Sequence, residues 1–224
     1  CLAFVEPGDE VILFSPFYGY HRNILALCEA NLRFVTLHPP DWSFETADLE
    51  RAFTDKTRAV IINTPSNPCG KVFTREELSF IASLCQKHDA LVITDEIYEY
   101  ILYGEHRHLS IGSPPGMEER TITLSGFSKT YNMTGWRLGY AVGAAALMEK
   151  IGLLNDLLYI CAPTPLQHAV LAAFDLPPSY YDQLRADYTR KLEMTCTACN
   201  EAGIKPLMPQ GAYYLLADIS GLRL

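Results

Sequence analysis

The sequence predicts an α/β fold, a mostly parallel sheet flanked by helices. Three observations carry this. Short runs of consecutive apolar residues recur along the chain, segments with apolar residues at helical spacing lie between them, and turn-forming or polar clusters follow the runs. A strand that is apolar throughout is buried on both sides, which is the condition of a parallel sheet covered by helices on both faces. Half of the 224 residues (49%) are apolar, enough to build a substantial core.

The elements follow in order. Residues 11–14 come after the turn signal Pro7-Gly8-Asp9 and read as a buried strand. Residues 20–30 have helical spacing, and residues 32–37 form a second strand stopped by Pro39-Pro40. A short helix suits residues 47–53. A third strand, residues 59–62, runs into the turn-rich stretch from Asn63 to Gly70. Thr74 with Glu77 three residues later is a capping box that opens a helix to about Lys87. Residues 91–94, 121–124 and 138–142 are the fourth to sixth strands, and the small-residue run 141–148 suits a packed interior.

Beyond Gly143 the pattern turns helical, broken at Pro163, Pro165 and Pro177-Pro178. The last helix, residues 179–202, is long and amphipathic, as expected of a connector, and Gly203 ends it. Residues 213–219 read as the first strand of a second domain. The expected organisation is a large domain over residues 1–178, with the connecting helix and the start of a smaller α+β domain over 179–224. The chain opens at Cys1 inside an apolar segment and stops at Leu224, and is expected to be part of a longer polypeptide.

A net charge of −8 without a block of like charges argues against nucleic acid or an anionic membrane as partner. No apolar run reaches the roughly 18 residues of a spanning helix. Seven scattered cysteines, an odd number, favour reduced, packed thiols and a cytoplasmic setting. Cys196-x-x-Cys199 reads as two residues on one helical face, because no second pair or histidine set accompanies it. His106 and His108 lack a third ligand in view. Gly135, Gly139 and Gly143 are read as sites of close backbone packing.

Ligands of such sheets bind beyond the carboxyl ends of the strands, so the polar clusters after strands three, four and five should converge. Lys129 sits in a small-residue loop after the fifth strand, and Arg137 follows eight residues later. A lysine amine attacks an aldehyde when its surroundings leave it unprotonated. An arginine fork grips phosphate bidentately, and a glycine such as Gly126 lets backbone approach a ligand closely. Alone, a lysine and an arginine at that spacing are no more than an exposed ion pair. By the same standard Asp95 is equally a helix cap, Asn67 a turn residue and Tyr18 a core aromatic.

The whole segment from Ser125 to Gly139, with Lys129-Thr-Tyr-Asn-Met-Thr-Gly-Trp-Arg137 at its centre, resembles the lysine signature of the class I and II aminotransferases, enzymes of the fold-type I pyridoxal-phosphate family. The resemblance runs from about Pro7 to Asp218. It implies pyridoxal 5'-phosphate on Lys129, with Arg137 on its phosphate. It implies that Asp95, in Ile93-Thr-Asp-Glu-Ile-Tyr98, pairs with the pyridine nitrogen, while strand alternation turns Glu96 to the opposite side. Tyr98 and the asparagine of Asn67-Pro68-Cys69-Gly70 would bond the phenolic oxygen, and Tyr18 of Ser15-Pro-Phe-Tyr18 would lie against the ring. Gly126 stands where relatives often carry a phosphate-binding serine, so Ser125 or Ser128 is expected to supply that hydroxyl. A phosphate-cradling helix start is expected before Cys1, and a carboxylate-gripping arginine beyond Leu224.

The function so implied is amino-group transfer between an α-amino acid and a 2-oxo acid, by a homodimer. A pyridoxal-phosphate lyase and the aminotransferase-like effector domain of a transcription regulator share the same lysine, aspartate and arginine. The Asn132-to-Arg137 stretch resembles the aminotransferase branch. Asn67-Pro68 and Ile97-Tyr98 resemble the enzymes more than the regulators.

Overall fold

A computed structural model describes residues 1–222. Its centre is a six-stranded sheet of β1 (Glu10–Ser15), β2 (Asn31–Thr36), β3 (Thr57–Asn63), β4 (Leu91–Asp95), β5 (Thr121–Gly126) and β6 (Gly139–Val142). The spatial order is β2-β1-β3-β4-β5-β6. β1 to β5 run parallel, and only β6 is antiparallel, opposite β5. The helices are α1 (Gly19–Leu27), α2 (Thr46–Ala52), α3 (Arg75–Lys87), the single turn α4 (Phe127–Thr130), α5 (Ala145–Tyr159), α6 (Thr164–Val170) and α7 (Pro178–Glu201).

Alternation along each strand sends side chains to two separate cores. Ile12, Phe14, Val60, Ile62 and Val92 face one side, with Leu49 of α2 and Leu78, Ile81 and Cys85 of α3. Val11, Leu13, Ala59, Ile61, Ile93 and Ile122 face the other, with Leu25 of α1 and Leu147 of α5. Both faces are therefore covered, which is why these strands are apolar throughout. The capping box is present at the start of α3: Thr74 Oγ1 accepts from Glu77 N at 3.2 Å, and Glu77 Oε2 accepts from Thr74 N at 2.8 Å. The other Glu77 oxygen takes the buried Lys71 ammonium at 2.7 Å.

Some expectations are corrected. Residues 213–219 do not begin a second sheet. β7 (Lys205–Leu207) comes first and pairs antiparallel with β8 (Leu216–Asp218), which takes up only part of the expected run. Tyr213 is left outside any strand because it is committed to the site described below. Within residues 141–148 only Leu147 is buried. The cysteines are all free, yet only Cys28, Cys69 and Cys85 are buried, and Cys161 is exposed. Cys196 Sγ lies 3.6 Å from Met208 Sδ. No helix among the described residues is long and apolar enough to cross a membrane.

Candidate active site

The strand order reverses direction at β1, which has β2 on one side and β3 on the other. The loops after β1, β3, β4 and β5 therefore open around one crevice at the carboxyl ends. There a cavity of about 420 Å³ is lined by Tyr18, Asn67, Asp95, Tyr98, Ser125, Ser128, Lys129 and Arg137. All eight residues singled out from the sequence meet in it. Asn63, Ile97, Leu124, Thr134 and Tyr214 complete the wall.

Asp95 is the last residue of β4 and lies level with Asn63 at the end of β3. Its backbone carbonyl is gripped by Asn63 Nδ2 (2.9 Å) and Thr64 N (3.0 Å). One carboxylate oxygen accepts from Ile97 N at 3.2 Å, and the other meets His21 Nε2 at 3.1 Å. A turn, and no helix, follows β4, so Asp95 caps no helix. His21 was not legible as a site residue beforehand. The available signal was its position three residues after Tyr18 at the start of α1, a spacing that places both on one helical side. Tyr18 and His21 do touch edge-to-face, with centroids 5.4 Å apart.

Glu96 turns away from this cavity, as alternation predicts. It is buried and held by the Thr94 hydroxyl (3.0 Å), the Ser110 hydroxyl (2.8 Å) and His108 Nε2 (2.7 Å). His108 thus has a carboxylate partner. Among the described residues no three His, Cys, Asp or Glu are grouped to hold a metal.

Lys129 stands on α4, and the short linkage from β5 aims its amine back over the sheet end. Its Nζ lies 5.9 Å from the ring centre of Tyr98 and 5.4 Å from that of Tyr213. Burial pushes the Tyr98 phenol far above its ordinary range, and its hydroxyl donates to Tyr214 at 3.3 Å. Arg137 is exposed, in the left-handed region at φ 58°, with its guanidinium on the Thr134 carbonyl at 2.9 Å. Such a backbone costs on the order of 1 kcal/mol and recurs where a side chain must be aimed. Thr134 Oγ1 in turn donates to the Ser128 carbonyl at 3.0 Å, tying the two loops together.

The two candidate phosphate hydroxyls differ. Ser125 donates to Glu99 at 2.9 Å, whose carboxyl burial pushes upward, whereas Ser128 lines the cavity without that commitment. Gly126 has a packing task that the sequence did not suggest. A Cβ there would lie 2.9 Å from Gly139 Cα and Leu138 O, so its missing side chain serves the contact of β5 with β6.

Asn67 is held by its backbone N–H on Asn63 Oδ1 at 2.7 Å. The loop that carries it is clamped to the segment from Gln210 to Ala212. Gly70 O accepts from Gln210 N and Gly211 N, both at 2.9 Å, while Ala212 N donates to Ile101 O at 2.9 Å. A Cβ on Gly211 would lie 2.7 Å from Pro65 and 2.8 Å from Ile101 O. Gly211→Ala is expected to destabilise the folded state by about 1–3 kcal/mol, read as a lowered denaturant midpoint at unchanged slope. This strap delivers Tyr213 and Tyr214 to the site from far along the chain.

The model of the family "aminotransferase class I and II" matches residues 1–223. Kynurenine–oxoglutarate transaminase 3 of Mus musculus is 40% identical over 235 residues, covering 97% of this chain and 52% of the relative. Kynurenine–oxoglutarate transaminase 1 of Homo sapiens is 36% identical, covering 99% of the chain and 57% of the relative. The solved N-succinyldiaminopimelate aminotransferase from Mycobacterium tuberculosis superposes with a TM-score of 0.93 at 36% identity, over 97% of this chain and 57% of that one. The chain spans about half the length of the curated relatives it matches. On a match that runs from the first residue almost to the last, and on a fold shared with solved aminotransferases, the chain belongs to the class I and II aminotransferases.

Proposed function

We propose that the polypeptide transfers an amino group between an α-amino acid and a 2-oxo acid through pyridoxal 5'-phosphate held on Lys129. The observation that carries this is the meeting of Lys129, Asp95, Arg137, Asn67, Tyr98 and Tyr18 in one cavity at the sheet's carboxyl ends. The donor set fits the group: an amine for its aldehyde, a carboxylate for its ring nitrogen, a guanidinium for its phosphate and an aromatic wall for its ring. The cofactor, when bound, supplies the aldehyde that takes up an amine and a ring that accepts electrons from the substrate α-carbon.

Each residue then has a stated task. Lys129 would hold the cofactor, and its amine is the group placed to move the α-proton. Asp95, fixed by His21 and the Ile97 amide, would hold a proton at the ring nitrogen. Arg137 would grip the phosphate, with Ser128 or Ser125 as hydroxyl donor. Tyr98 and Asn67 would bond the ring oxygen, and Tyr18 would cover the ring. The similar proteins' names make kynurenine with 2-oxoglutarate the first substrate pair to test. Chromatography of the full polypeptide with cofactor should show a new amino acid formed from the 2-oxo acid. Release of ammonia with no new amino acid, across a panel of such pairs, would make the enzyme a lyase and overturn the reading.

The active form is proposed to be a homodimer in the cytoplasm. The seven free thiols support that compartment. Leu153, Leu157, Leu158 and Ile160 at α5 are each more than two-thirds exposed, an apolar surface that association would cover. Sedimentation is expected to give a dimer; a fully active monomer would refute it.

A further inference from the structure

The strap of residues 210–212 places Tyr213 against the amine of Lys129, and nothing assigned so far uses this contact. Tyr213 is held from three sides. Its ring meets Tyr98 edge-on (87°, 5.1 Å), lies 4.8 Å from Tyr214, and stacks on Tyr188 of α7 (17°, 6.0 Å). The Lys129 amine sits in the corner between the perpendicular rings of Tyr98 and Tyr213, nearer to Tyr213.

We propose that Tyr213 is a positioning residue for Lys129, its phenol oxygen accepting a hydrogen bond from the ε-ammonium and so holding Nζ at the cavity wall. This rests on Lys129 as the reacting amine and adds a residue to that site. A lysine side chain has four rotatable bonds, and a fixed acceptor removes the rotamers in which the amine points away from the cavity. The phenols around the amine support it. Burial raises those of Tyr98, Tyr188 and Tyr214. Burial acts upward on Tyr213 too, yet the Lys129 ammonium and the phenols of Tyr98 and Tyr214 beside it hold it below the usual phenol range. Asp95 and Arg137 are the other charged groups on the same cavity.

The test uses the full polypeptide without cofactor, with two readouts. The first is the ultraviolet titration of its tyrosines. The second is trace acetylation of Lys129 by acetic anhydride at neutral pH, quantified by mass spectrometry. In the parent, one tyrosine should ionise ahead of the others. That step should move upward in Lys129→Met and disappear in Tyr213→Phe. Phenylalanine keeps the ring face and loses only the oxygen, so Lys129 acetylation in Tyr213→Phe should rise several-fold as the ammonium loses its acceptor. Tyr188→Phe, which keeps the stack, should leave both readouts at parent values. Unchanged titration and acetylation in Tyr213→Phe would overturn the proposal, as would an equal change in Tyr188→Phe. Adding pyridoxal phosphate to Lys129→Met separates the two claims. Absorbance of a lysine-bound cofactor there would defeat the reading of Lys129, while the cofactor-free readouts still decide Tyr213.

Discussion

Lys129→Ala in the full polypeptide is expected to abolish the absorbance of the lysine-bound cofactor and almost all amino-group transfer. Two functions leave with the side chain: the attachment point and the group that moves the α-proton. The second alone is worth roughly 10²–10⁴-fold in rate. Among the described residues no other lysine lines the cavity. Lys71 is 2% exposed, paired with Glu77 at 2.7 Å and set over Phe73. Lys150 lies over Phe4, on α5. Neither lines the cavity. Spectrophotometry of the variant with added pyridoxal phosphate decides the matter, and retained lysine-bound absorbance would move the attachment to another residue.

Asp95→Asn should leave the cofactor bound while slowing α-proton removal by roughly 100- to 1,000-fold, the scale on which a preorganised electrostatic partner acts. Asparagine preserves the shape and can still accept from Ile97 N, so the turn after β4 should survive. What it lacks is the negative charge that would hold a proton at the ring nitrogen; each pKa unit lost there corresponds to about 1.4 kcal/mol. A purely structural Asp95 would behave otherwise, since asparagine serves such turns about as well as aspartate. Single-turnover loss of the lysine-bound absorbance with an amino acid substrate is the measurement. A variant within a few-fold of the parent rate would sink the assignment.

Local chemistry was enough to place the six strands of the central sheet, the Thr74–Glu77 capping box and the loops bearing Asn67, Asp95 and Lys129. Apolar strand runs, turn residues and caps act within a few residues of themselves, and a parallel sheet brings its strand ends together without further instruction. Alternation put Asp95 and Glu96 on opposite sides, and the family resemblance chose Asp95 between them. Tertiary structure decided what depends on residues remote in sequence. His21 reaches Asp95 across 74 positions, a pairing that no local pattern encodes. Ser125 is drawn to Glu99 because β5 lies beside the turn after β4, and Gly126 is small because β6 returns antiparallel against it. Tyr213 read as strand from its apolar neighbours, since β-propensity records only a residue's fit to a pleated surface. The strap clamped by Gly70 and Ile101 outweighs that preference, and so the amine of Lys129 gains a neighbour 84 residues further along the chain.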